Sequence, residues 1–287
     1  MAAPDRAGGV PRRHLDGGRM PYLTTPVDGG RAATGAAPLG VGVPGFAHPL
    51  MAPTEWAELL RLSRGLACTG GAGRAPGPQG TAAALHWVVL NVARGPGARP
   101  DPYCLPATAQ LRDAGARLLG HLDLEHGARP FGELVSDAHR FLDWYKVDGF
   151  YLDSCPTERT QLSETRRLTT TLRALRDGAH LVTGHGRHPH PGYADAADQL
   201  VTFAGRWSDY RWSQVAEWTA EYPAGRFCHL VHGVPRTHLE EALRIARWQG
   251  AGTVYFTDRL DHGGGAWESL PGYWDEFVSR IGPGVSE

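Results

Sequence analysis

The chain has 287 residues, 41% of them hydrophobic, and 29 Lys and Arg set against 30 Asp and Glu leave a formal net charge of −1. That is enough apolar material for one sizeable core, and too little chain for two large domains. The balance excludes a global field that would draw the protein to nucleic acid or to an anionic membrane; Lys146 is the only lysine, and the arginines are scattered rather than striped.

Residues 1–38, rich in Gly, Ala, Pro and Arg, offer almost nothing to bury and are read as a disordered tail. Arg12 and Arg13 precede no apolar core of a signal peptide, so the sequence as written is expected in the cytoplasm, or outside the cell if the true start lies upstream. No stretch approaches the roughly 20 apolar residues of a membrane helix. From residue 39 to 281 short apolar runs alternate with segments of helical period. The candidate strands are 40–46 (GVGVPGF), 86–92 (HWVVLNV), 117–123 (RLLGHLD), 147–153 (VDGFYLD), 180–184 (HLVTG), 199–203 (QLVTF), 227–232 (FCHLVH) and 252–258 (GTVYFTD). Near-continuous apolar runs of this kind belong to parallel strands covered on both faces.

Helical faces fall between them. Trp56, Leu59, Leu60 and Leu66 mark the first, opening at Pro53; Leu162, Leu168, Leu172 and Leu175 mark the fourth. Leu239, Leu243, Ile245 and Ala246 mark the seventh, and Leu270, Tyr273, Trp274, Phe277, Val278 and Ile281 the last, while the second and fifth are expected to be short. Eight such units predict a single (β/α)8 TIM barrel, an α/β fold, with residues 282–287 as a C-terminal tail. The rival, a doubly wound open sheet, needs a glycine fingerprint between a strand and a helix. The Gly-rich stretch 70–80 lacks that spacing and is read as a surface loop.

The four cysteines, Cys68, Cys104, Cys155 and Cys228, form no C-x-x-C pair, which excludes a zinc ribbon and leaves room for one disulfide. The run from His185 through His188 to His190 has neither H-x-x-x-H nor H-E-x-x-H spacing, so it reads as a polar loop; neither a metal nor another cofactor is expected.

A TIM barrel keeps its chemistry at the C-terminal strand ends. Those ends present His48, Asn91, Asp123, Glu125, Asp153, His185, Trp207, Asp209, Tyr210, His232 and Asp258. Carboxylates that can protonate or attack a glycosidic centre, with aromatic faces that stack on a pyranose, suit a sugar. Asp153, with Asp123 or Glu125 as partner, is the catalytic candidate, and the others are candidate substrate contacts. Trp207 or Tyr210 is expected to supply an aromatic platform. Asp153 has a second reading, as the cap of the segment that follows its strand.

The segments 43–49 (VPGFAHP), 87–97 (WVVLNVARGPG), 117–130 (RLLGHLDLEHGARP), 143–153 (DWYKVDGFYLD), 229–234 (HLVHGV), 252–258 (GTVYFTD) and 271–274 (PGYW) resemble the spherulin-4, or spherulation-specific, family. The resemblance runs in order from about residue 40 to 280. It implies a barrel glycosidase acting on galactosamine-containing polysaccharide, with an Asp-Glu pair ending strand 4 and a further glutamate ending strand 6. The aspartate matches Asp153, but Ser154 and Ala204 stand where the glutamates are implied. Three readings therefore remain open: a barrel that recognises and hydrolyses an amino-sugar polysaccharide, one that only binds it, and a cytoplasmic interaction protein. Oligomeric state is left open too.

Overall fold

The computed structural model describes residues 39–45, 48–67, 84–260 and 265–281. The expected N-terminal tail, the C-terminal tail, the glycine-rich stretch and Cys68 lie outside them.

Eight strands close in chain order into one barrel: β1 Gly40–Val43, β2 Ala84–Leu90, β3 Leu118–Asp123, β4 Gly149–Asp153, β5 His180–Gly184, β6 Gln199–Arg206, β7 Phe227–His232 and β8 Thr253–Phe256. Every neighbouring pair is parallel, including β1 with β8, which closes the ring. The fold is the TIM-barrel-like α/β architecture that the alternating pattern predicts. Seven helices accompany the strands among the described residues: α1 Pro53–Ala67, α2 Cys104–Asp113, α3 Phe131–Arg140, α4 Leu162–Leu175, α5 Trp207–Tyr210, α6 Leu239–Trp248 and α7 Trp274–Arg280. The expected fifth helix, between β5 and β6, is only a single 3-10 turn, Pro191–Tyr193. Pro191 and Gly192 leave no room there for an apolar stripe. None of the helices is long and apolar enough to cross a membrane.

The helices bury the faces their spacing foretells. Leu59 and Leu62 on α1, Leu134 and Ala138 on α3, Leu168 and Leu172 on α4, and Leu239, Ala242, Leu243 and Ala246 on α6 are all buried against the barrel. Inside, the barrel floor carries a polar network. The Trp87 indole donates to Gln199 Oε1 (2.7 Å), whose amide nitrogen donates to Gly225 O (2.8 Å) and Thr253 Oγ1 (2.9 Å). That indole needs space from β1: a Cβ on Gly42 would come within 2.4 Å of the Trp87 ring. Below β3 and β4, Asp148 accepts the Leu118 amide (3.0 Å) and the Arg176 guanidinium (2.8 Å), joining three units at the stable end. Cys104, Cys155 and Cys228 are buried free thiols.

Candidate functional site

A cleft of about 460 Å³ opens at the C-terminal ends of the strands. Its wall takes Pro44, Gly45 and His48 after β1, Asn91, Val92 and Arg94 after β2, His121 from β3, and Tyr151 and Asp153 from β4. Ala204 of β6, Leu230 of β7, and Trp267 and Glu268 after β8 complete it.

Strand register explains the floor. His121 pairs with Tyr151 and Asp123 with Asp153 across β3 and β4, and with a period of two all four point to the same side of the sheet. The intervening Leu122 and Leu152 are fully buried. His121 Nε2–H donates to Asp153 Oδ2 (3.1 Å), while Asp153 Oδ1 accepts the Ser154 amide (2.8 Å). The His121 ring lies nearly parallel to that of Tyr151, 6.2 Å away, and its Nδ1 is buried without a hydrogen-bond partner. Burial alone would raise the Asp153 pKa. The His121 hydrogen bond, the positive potential of that ring and the Ser154 amide outweigh burial and hold the carboxyl below its ordinary range. Asp153 is therefore an ionised carboxylate facing the cleft. Ser154, held at φ 48°, turns out of the cleft wall.

The other candidates divide. His48 and Asn91 line the cleft with Asp153. His48 is fixed from both sides, Nε2 bonded to Asp101 Oδ1 (3.0 Å) and Nδ1 accepting the Leu50 amide (3.2 Å). Asn91 Oδ1 accepts the Gly95 amide (2.9 Å), shaping the loop that carries Arg94. The expected partners of Asp153 are turned to local work. Asp123 Oδ1 accepts the Glu125 amide (2.9 Å), and Glu125 stands exposed at φ 49°; neither is in the cleft wall. Asp258 accepts the Gly272 amide (3.0 Å), and Asp209 accepts the Ser208 hydroxyl (3.1 Å).

The aromatic platform is not where the sequence reading put it. Tyr210 is fully buried and its hydroxyl donates to His229 Nδ1 (2.8 Å); Trp207 is 7% exposed and packs against Tyr210 and His238. Short α5 folds both rings into the shell between β6 and β7, because burying them there satisfies a large apolar area and one hydroxyl together. Trp267 takes the cleft position instead, edge-on to His232 at 5.7 Å and to Tyr255 at 6.0 Å. His232 is thus a buried support for that ring. His185 is buried behind the wall, where its Nδ1–H donates to Pro156 O (2.9 Å) and burial pushes its pKa down to about 4.

The histidines after β5 do not converge: His188 packs edge-on to Trp218, and His190 Nδ1 accepts the Gly192 amide. His48, Asp101 and Cys104 bring three ligand-type atoms within 4.8 Å of one another. Asp101 Oδ1 there already accepts the Tyr103 and Cys104 amides (both 2.9 Å) as it starts α2, and burial pushes the Cys104 thiol up to about 12. Capping of α2 accounts for that trio without an ion.

Among solved structures, the chain matches Aspergillus clavatus Sph3, crystallised in complex with GalNAc. Identity is 22% and the TM-score 0.68, over 85% of this chain and 98% of that one. It also matches the Bacillus cereus spore cortex-lytic enzyme SleL, at 8% identity and a TM-score of 0.50, over 86% of this chain and 75% of that one. At such identities the likeness is one of fold. No curated protein sequence matches. The model of spherulation-specific family 4 matches residues 79–281, from β2 to the end of α7, and the chain belongs to that family.

Proposed function

We propose that the cleft binds a segment of an amino-sugar-containing, galactosamine-type polysaccharide, with Asp153 as its charged anchor. The observation that carries this reading is the pairing of opposites in one cleft: an ionised carboxylate braced by His121, and the Trp267 indole. A pyranose presents the same pair of surfaces, hydroxyl and amide donors at its edge and an apolar ring face. Family membership and the GalNAc complex of Sph3 point to the same sugar class.

A binding barrel without cleavage is the second reading, and Ala204 favours it. Its methyl group lines the cleft where the family resemblance implies a glutamate. Calorimetric titration with GalNAc oligosaccharides tests binding directly. Asp153→Asn removes the charge while nearly keeping the shape, so affinity is expected to fall about 10- to 100-fold, the worth of a charge-assisted hydrogen bond. Unchanged affinity in that variant, with the fold intact, would remove Asp153 from the site.

A further inference from the structure

Two tryptophans on the outside of the barrel have no part in the cleft. Trp212, two residues past α5, is 79% exposed, and Trp248, the last residue of α6, is 78% exposed. The residues that follow them in sequence meet: Gln249 Nε2 donates to Ser213 O (3.1 Å) and to Ser213 Oγ (2.9 Å). Before Trp212, the Arg211 guanidinium bonds Glu241 of α6 (3.3 Å) and lies 5.9 Å from the centre of the Trp212 ring. The stretch 211–213 is thus pinned along α6 at two points, and the indoles occupy neighbouring places on that surface. Trp248 ends α6 shortly before β8 begins, towards the N-terminal ends of the strands, whereas the cleft opens at their C-terminal ends.

We propose that Trp212 and Trp248 form a second sugar-binding surface, on which pyranose rings of an N-acetylgalactosamine polysaccharide stack while another stretch of the same polymer occupies the cleft. This rests on the amino-sugar reading above, which makes the ligand a polymer and so offers further copies of the sugar to a second surface. The surroundings select a sugar over a protein. Two indoles bury about 300–500 Å² together, short of the roughly 800 Å² per partner of a standard protein interface. The other large apolar side chains exposed among the described residues, Leu50, Met51, Tyr103, Leu105 and Leu260, follow β1, β2 and β8, so no aliphatic surround extends the pair. Polar groups flank it instead: Arg211, Ser213, Glu241 and Gln249, with Arg244 exposed one turn before Trp248. Apolar faces set among such donors and acceptors match the ring face and hydroxyl edge of a pyranose. A polymer held at both places binds more tightly than at either alone, because the second contact forms within one complex.

The test compares the full chain with its Trp212→Ala, Trp248→Ala double variant on two probes. Calorimetry with a GalNAc trisaccharide reads the cleft, and affinity electrophoresis through a soluble GalNAc polysaccharide reads both surfaces. The double variant is expected to keep the wild-type trisaccharide affinity and melting temperature while its polysaccharide affinity falls about 10- to 100-fold. Each single variant should lose part of that, and Asp153→Asn should still be retarded by the polysaccharide. Unchanged polysaccharide affinity in the double variant overturns the second surface and leaves the cleft reading standing. Loss of trisaccharide affinity as well overturns it too, since the change then acts through the fold. A wild-type dimer that the double variant converts to monomer, read by sedimentation, makes the indoles a contact between copies of this chain and overturns the sugar assignment. Wild type that binds neither probe removes both readings.

Discussion

Asp153 and His121 form one unit, and the charge of the first depends on the second. With the imidazole donor 3.1 Å away, the carboxyl stays ionised as pH falls through the ordinary carboxylate range near about 3.9. His121→Phe deletes that donor while burial remains, so the Asp153 pKa should rise from its lowered value. A ligand that needs the charge should then be lost at higher pH in the variant than in wild type. Titrations of GalNAc-oligomer affinity between pH 3.5 and 7 would show the acid limb moved upward; coincident limbs would mean that His121 does not tune the anchor. The place of Asp153 in the cleft was legible in the sequence because it closes an apolar run and the fold sets such ends at a mouth. His121 carried a fainter signal, a polar residue two places before Asp123 and therefore on the same side of β3. Asp123, Glu125 and Asp258 carried the same strand-end signal as Asp153, yet Asp123 accepts the Glu125 amide of the following turn, Asp258 accepts the amide of the distant Gly272, and Glu125 stands exposed. Composition at a strand end gives the chemistry available but not the direction of the side chain.

Elements decide that direction, and β5 shows how tightly. Gly184 closes this strand beside Tyr151 and Asp153: a Cβ there would stand 2.9 Å from the Tyr151 hydroxyl and 3.2 Å from Asp153 Oδ1. Tyr151 is only 5% exposed and cannot swing clear. Gly184→Ala should therefore destabilise the fold by about 1–3 kcal/mol, the usual cost of overpacking, and displace the anchor as well. A lower melting temperature together with weaker sugar binding is the expected pair of results; wild-type affinity would show that the floor yields elsewhere. The segment between β8 and α7 matters for the opposite reason. It has no period, so neither Trp267 nor Glu268 stood out from sequence, whereas Trp207 and Tyr210 stood out as aromatics and belong to the packed shell. Trp267→Ala should cost sugar affinity about tenfold, in line with an aromatic contact of about 1 kcal/mol or slightly more, and calorimetry would read it. All eight strands were legible in place, β5 and β7 to the residue, since parallel strands buried on both faces leave dense apolar runs, while β1 closes earlier, at Val43, and β6 runs on to Arg206. The helix expected between β5 and β6 failed because a short link needs no stripe, only a Pro-Gly turn.

At the scale of the whole molecule, the closed barrel takes several imidazoles away from water, and that sets how the fold answers acid. His229 is fully buried, accepting the Tyr210 hydroxyl, with its pKa pushed down to about 3 by burial, and His185 is held at about 4 for the same reason. His86 and His180 are lowered as well, again chiefly by burial. Unfolded, each imidazole titrates near about 6.5. Between that value and the folded pKa the unfolded chain binds protons that the folded chain refuses, so stability must fall as pH is lowered through this window. Each such group contributes a slope of about 1.4 kcal/mol per pH unit once its unfolded form is protonated. Melting temperature should accordingly decline from pH 7 to pH 4.5, before most carboxylates have titrated. His229→Gln keeps an acceptor for the Tyr210 hydroxyl but cannot titrate, and His185→Gln keeps a donor for the Pro156 carbonyl. The double variant should start less stable or equal at pH 7, and its melting temperature should then fall less steeply with acid. Parallel declines in wild type and variant would place the acid sensitivity of this barrel in other groups.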